Sequence, residues 1–261
     1  MLSRDEICVR NLVRFDADVA VGPAGIGLLG FVESFASHVI SGYSPSFLDF
    51  LIEGGDAPRS AAVATSPSLR VKGLGVHLAR VHKLGMHRGD ISTIEGKSAR
   101  FAVGAELRNL GLIQHCTLPV SVALRGKLSV YRRIAKDEGR LASFLIDAIC
   151  ESVEIATRIL ETVDRLDRSW RAELPSKKGS VLDAAIDMSL SEVVVVGDRL
   201  RSVTGANKSN VYRAVQAMVG IGALSEVTGR RKNQIWVATE LVDTVEVLMA
   251  GGRSVGKIAA W

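Results

Sequence analysis

Between residues 141 and 170 apolar side chains recur every three or four positions, at Leu141, Phe144, Leu145, Ala148, Ile149, Val153, Ile155, Ile159, Val163, Leu166 and Trp170. That spacing predicts one amphipathic helix of about eight turns whose apolar stripe must pack on a neighbour. Upstream, Phe101, Val103, Leu107 and Leu110 predict a helix over 99–110, stopped at Gly111. Leu118 and Pro119 open another that carries Val120, Leu124, Leu128, Tyr131 and Ile134 and frays at 137–139. Downstream, the polar stretch PSKKG at 175–179 reads as a linker, and Ser180 caps a helix through Met188.

The pattern changes again over 198–237. A short helix over 199–203 is followed by a turn signal at Thr204-Gly205. Asn207, Lys208 or Ser209 can cap a second helix to about Val219. Val211, Val215, Met218 and Val219 would face inward, leaving Lys208, Asn210, Arg213 and Gln216 outside. Gly220 and Gly222 end this helix. A hairpin then follows, 223–227 and 234–237, with Arg230, Arg231 and Lys232 at its tip. This is the order of a winged helix-turn-helix. The stretch holds seven Lys or Arg against two acids, a surplus of 7 − 2 = 5 that equals the net charge of the whole chain, +5. Such concentration is the footprint of phosphate contact, with the outward helix face offered to a major groove. A basic hairpin also serves simply to keep a sheet edge soluble.

Residues 1–97 hold 12 of the 25 glycines and four of the six prolines, and much of the segment has neither helical nor strand periodicity. Apolar runs at 19–32 and 47–52 carry nothing that fixes their type. After Ala250 the chain reads as a tail.

The totals narrow the class. With 261 residues and 47% apolar composition, the chain can bury two cores. Three cysteines, Cys8, Cys116 and Cys150, are widely separated and lack metal-ligand spacing, so no metal site is expected and a reducing cytoplasm is the default. No run of eighteen apolar residues predicts a membrane span. P-loop, CxxC, HExxH and GxSxG motifs are absent from the sequence.

Two blocks resemble the Fic family. SARFAVGAELRNLGLIQHCTLPVSVAL, at 98–124, is similar to the helix after the Fic active-site loop, its GL stop and the LPVS start of the next helix. GIGALSEVTGRRKNQIWVATEL, at 220–241, is similar to the wing of Fic proteins that carry a C-terminal winged helix. With the helices between, the likeness spans about 98–245.

The resemblance implies transfer of AMP from ATP to protein hydroxyls, with Mg2+, by a loop of the form HxFxxGNGRxxR. The histidine there takes the hydroxyl proton, and the glycines and asparagine cradle phosphate. Its last arginine aligns with Arg100. Lys97 then stands at the first arginine, Gly96 at the second glycine, Glu95 at the asparagine, Ile94 at the first glycine and Gly89 at the histidine. A β-branched Ile94 and an acidic Glu95 oppose close approach of phosphates. His87 is the candidate base, although it lies two residues early in this register and a lone histidine in such a stretch is more often a solvated loop residue. Gly96, Lys97 and Arg100 are the candidate nucleotide contacts. The inhibitory motif of many family members, [S/T]xxxE[G/N], has its nearest match in SHVISG at 37–42, where Ser41 replaces the glutamate.

The expectation is therefore a mainly α protein: an incomplete Fic-like helical bundle at 98–174, a winged helix-turn-helix with a β-hairpin wing at 175–250, a poorly defined 1–97 and a tail at 251–261. Its function would be DNA binding or protein docking through the winged helix, with adenylyl transfer lost or weak. Two alternatives stay open: an active adenylyltransferase using ATP and Mg2+ on a protein substrate, and a winged-helix transcription regulator dimerising through the long helix. Without activity no cofactor is implied, and no membrane partner is. A degraded or frame-shifted origin for 1–97 would explain its composition, as would divergence into a binding-only protein. An HxFxxGNGR motif missing from both other frames of the upstream DNA would rule out the frame shift.

Overall fold

The computed structural model describes residues 3–21, 25–42, 46–52, 73–85, 97–230 and 232–250. Among these the chain is mainly helical with one small antiparallel sheet. In order it runs α1 (Arg4–Val21), α2 (Ile26–Ile40), α3 (Phe47–Ile52), α4 (Leu74–Gly85), α5 (Lys97–Asn109), α6 (Val120–Arg125), α7 (Leu128–Ile134), α8 (Glu138–Glu173), α9 (Val181–Glu192), β1 (Val194–Val196), α10 (Gly197–Thr204), α11 (Lys208–Gly220), β2 (Ser225–Glu226), β3 (Ile235–Val237) and α12 (Thr239–Met249). Two compact units form, one from 1–44 with 56–157 and one from 45–55 with 158–261; the division falls within α8. No helix among the described residues is long and apolar enough to cross a membrane.

In the first unit α1 starts with a reciprocal cap. The Glu6 amide donates to Ser3 Oγ at 3.3 Å, and the Ser3 amide donates to Glu6 Oε2 at 2.6 Å. Its inner stripe is Cys8, Leu12, Phe15 and Val19, all buried. Helix α2 is buried almost all round: Leu28, Leu29, Val32, Phe35, Ala36 and Ile40 lie inside together with Glu33, Ser34 and Ser37. A charged Glu33 is tolerable there because it is paired. Its Oε2 accepts from the Ser121 amide at 2.8 Å and its Oε1 from the Ser121 hydroxyl at 2.6 Å, which satisfies the free amide at the start of α6. Asp16 does the same for the preceding loop, accepting from the amides of Gln114 and His115, both at 2.9 Å, with His115 Nδ1 at 2.9 Å from its other oxygen. His82 of α4 is fully buried, with Nε2 at 2.9 Å from Tyr131 Oη of α7.

The described parts of the apolar runs at 19–32 and 47–52 are thus helical, in α1, α2 and α3. Periodicity could not type α2, because a helix enclosed on every side shows no polar stripe. The single helix expected from Leu118 to Ile134 is two, α6 and α7, interrupted at Gly126 and Lys127. The Arg140 amide donates to Asp137 Oδ1 at 3.0 Å, so the expected fray is where α8 is capped.

In the second unit the sheet order is β1-β3-β2, both pairings antiparallel. Val195 lies opposite Trp236 on one edge of β3 and Glu226 opposite it on the other. Val195, Trp236 and Val237 are buried, as are Ile186 and Leu190 of α9, Leu200 of α10 and Met218 of α11. The Asp183 amide donates to Ser180 Oγ at 3.2 Å, the expected cap, although α9 runs one turn past Met188 to Glu192. Arg171 near the end of α8 donates Nε to Asp167 at 2.6 Å and also grips Asp183 and Asp187 of α9. The Asp183 carboxyl is held below the usual carboxylate range, by the Gly179 amide first and then by Arg171. Helix α12, which the sequence pattern had not marked, buries Leu241, Val242, Val245 and Met249 and accepts the Phe47 amide of α3 on Glu246 at 3.2 Å.

Helix α4 approaches α8 through a glycine. A Cβ on Gly75 would lie 2.9 Å from Ile146 Cγ1 and 3.0 Å from the Ala142 carbonyl oxygen, whereas one on Gly104 of α5 would meet nothing within 4 Å. Gly75→Ala should therefore lower stability by about 1–3 kcal/mol, and Gly104→Ala should raise it by up to about 1 kcal/mol. Urea unfolding followed by circular dichroism measures both; equal midpoints would contradict the close approach.

Candidate nucleic-acid interface

The candidate surface is assembled by a short helix pair and the hairpin that follows it. Helix α10 leaves β1 directly and turns Leu200 inward. Gly205 ends it at φ 65, a left-handed value that glycine adopts without steric cost. Asn207 then caps α11, its Oδ1 accepting from the Asn210 amide at 2.9 Å. Val211, Ala214, Val215 and Met218 are buried, while Lys208, Ser209, Tyr212, Arg213 and Gln216 are exposed. Positions 208, 212 and 216 form one row at i, i+4, i+8, and 209 and 213 form the next.

Asn210 behaves differently from its neighbours. It is half-buried, and its Oδ1 accepts from the Arg213 guanidinium, so it fixes the direction of that side chain. Tyr212 has no place in a charge-based reading of the sequence, yet it is 51% exposed in the middle of the outer face. Its helical phase relative to Val211 and Val215 was the signal available for it.

The hairpin loop is organised by one carboxylate. Glu226 accepts from the amides of Thr228 and Gly229, each at 2.9 Å, and from the Thr228 hydroxyl. The Val227 amide donates across to the Ile235 carbonyl at 3.0 Å. Gly229 at φ 61 and Asn233 at φ 54 supply the left-handed residues of the turn, a conformation asparagine tolerates better than most. Arg230 and Lys232 are exposed at the tip, and Arg231 lies outside the described residues.

The cations of this region divide into two groups. Arg199 forms a two-pronged ion pair with Glu192, and Arg201 pairs with Asp198 at 3.2 Å. Lys208, Arg213, Arg230 and Lys232 have no carboxylate within 4 Å among the described residues. The unspent charge therefore sits on the outer face of α11 and at the hairpin tip.

Of the residues aligned with a nucleotide loop, His87 and Gly96 lie outside the described residues, and Lys97 and Arg100 fall in the first turn of α5. The segment 37–42 that approximates the inhibitory motif is the end of α2, with Ser37 fully buried and Ser41 Oγ donating to the Ser37 carbonyl at 3.0 Å. Among the described residues no three His, Cys, Asp or Glu side chains gather as a cation site. No protein-family model matches this chain, and no curated protein matches it.

The Thr228 hydroxyl first, and then the backbone amides of the loop, hold the Glu226 carboxyl below its ordinary value against desolvation, which acts the other way. A depressed carboxylate contributes stability that is present above the unfolded-state value and is lost as pH falls through the folded value. Hairpin order should thus be complete at neutral pH and weaken only below the ordinary glutamate range. The amide shifts of Thr228 and Gly229, followed by NMR against pH, should share a midpoint under that range and be flat in Glu226→Gln. A midpoint at or above the ordinary value would reject Glu226 as the organiser.

Proposed function

We propose that this chain is a Fic-related protein in which adenylyl transfer is lost or weak, and that residues 175–250 act as a winged helix-turn-helix that binds duplex DNA. One observation carries this reading: Lys208, Arg213, Arg230 and Lys232 are exposed with no carboxylate within 4 Å among the described residues, while their neighbours Arg199 and Arg201 are paired. Exposed cations without a carboxylate partner are free to replace counterions along a phosphate backbone.

The roles divide by position. Lys208 stands at the amino end of α11, where the helix dipole also favours phosphate. Arg213, steadied by Asn210, and Gln216 offer planar donors suited to base edges in a major groove. Arg230 and Lys232, with Arg231 between them in sequence, would follow the backbone beside the groove. Loss of transfer is supported by the sequence at 89–97, which departs from the family loop at its histidine, first glycine, asparagine and first arginine.

Fluorescence anisotropy with mixed-sequence duplexes at low salt tests the proposal. Arg230→Glu combined with Lys232→Glu should weaken binding by roughly tenfold or more on every duplex and flatten the salt dependence by about one unit of slope for each cation replaced. Arg213→Ala should instead change preference between sequences, by about 1–3 kcal/mol at one position. Unchanged affinity of the double charge reversal would defeat the DNA reading. Labelled ATP with Mg2+ should leave no label on the protein or on lysate proteins. Label that vanishes in His87→Ala or Lys97→Ala would restore adenylyl transfer.

A further inference from the structure

The outer face of α11 carries one aromatic side chain among polar ones. Tyr212 is exposed there together with Lys208, Ser209, Arg213 and Gln216. Because four residues advance a helix by about 6 Å, Lys208 stands one turn before Tyr212 and Gln216 one turn after it in the same row. The ring is thus the centre of the face. Among the described residues Tyr212 has no hydrogen bond, ring contact or ion pair, whereas Arg213 beside it is already directed by Asn210. Nothing within the described fold uses it.

A ring left in water forgoes the burial that stabilises an aromatic side chain, and Tyr suits interfaces because its body is apolar while its tip is polar. Whatever covers this ring must also suit the cations around it, since Lys208 and Arg213 have no carboxylate within 4 Å among the described residues. A duplex meets both needs. Stacking closes the base faces, so a side chain entering the major groove meets base edges, and the apolar group presented there is the C5-methyl of thymine. A ring laid over a donor or acceptor strips its water and returns no hydrogen bond; laid on the methyl, it removes apolar surface from water on both sides. Resting on the DNA reading above, we propose that Tyr212 is a specificity-determining residue whose ring packs on a thymine methyl in the major groove. The preferred duplex then holds a thymine opposite the middle of α11.

In the test, full-length wild-type protein selects duplexes from a randomised pool, and each thymine of an enriched duplex is replaced in turn by uracil, which lacks only the methyl. Anisotropy should show binding about fourfold weaker at one position, the loss expected for one buried methyl-sized group, and little change at the others. Tyr212→Ala should bind the thymine and uracil duplexes equally, yet keep wild-type affinity for unrelated duplexes and the same salt slope, because no charge is removed. Tyr212→Phe should keep the preference, since the ring remains. Binding without an enriched sequence, equal binding of thymine and uracil duplexes by the wild type, or a preference that survives in Tyr212→Ala would overturn the proposal and leave the DNA reading standing. A loss in Tyr212→Ala that is the same on every duplex would also overturn it, as the mark of a structural role. Failure of the wild type to retain any duplex would sink the DNA reading and this assignment together.

Discussion

With only three residues, β3 satisfies backbone groups of β1 on one edge and β2 on the other, and its Trp236 and Val237 are buried at the same time. Two short strands would be marginal alone; a third with an apolar face against helices makes the sheet stable. Pairing with β1 brings in α9, and α10 starts from the end of β1 without a loop. Pairing with β2 fixes the two ends of the basic loop. The helix pair and the hairpin tip are therefore placed by one strand, and the proposed groove and backbone contacts inherit their spacing from it.

Electrostatics on this frame separates structure from surface. Arg171 is used between α8 and α9, Arg165 pairs with Glu240, and Arg199 with Glu192. These cations hold elements together, so they add little to an external field. Glu226 accepts from the amides of Thr228 and Gly229 and orders the loop. Around α11 and the hairpin tip, the described cations without a carboxylate within 4 Å among the described residues are Lys208, Arg213, Arg230 and Lys232, concentrated on two adjoining features.

What the sequence made legible was local. Amphipathic periodicity marked α8 and the buried face of α11, and the caps at Ser180 and Asn207 stand where side-chain oxygens could serve free amides. Helix α2 was illegible because burial on every side erases a polar stripe, and β1 because a run of four valines, 193–196, fits several environments. Asn210 reads as a base contact from its phase, yet a contact three residues along the same helix turns its oxygen to Arg213.

Long-range dependence bears on the first third of the chain. Buried carboxylates are costly unless donors are placed for them, and donors without acceptors are costly in turn. Asp16 and Glu33 each meet donors roughly ninety to a hundred residues away, at 114–115 and 121, where the chain turns into α6 and has amides to satisfy. Serine follows the LPV of the block that resembles Fic proteins, and its amide and hydroxyl are both taken by Glu33. Complementary acids at 16 and 33 are the kind of agreement between distant positions that selection on a fold maintains and that a patternless stretch lacks. Asp16 of α1 and Glu33 of α2 thus tie their helices to the chain at 114–121 within the first unit.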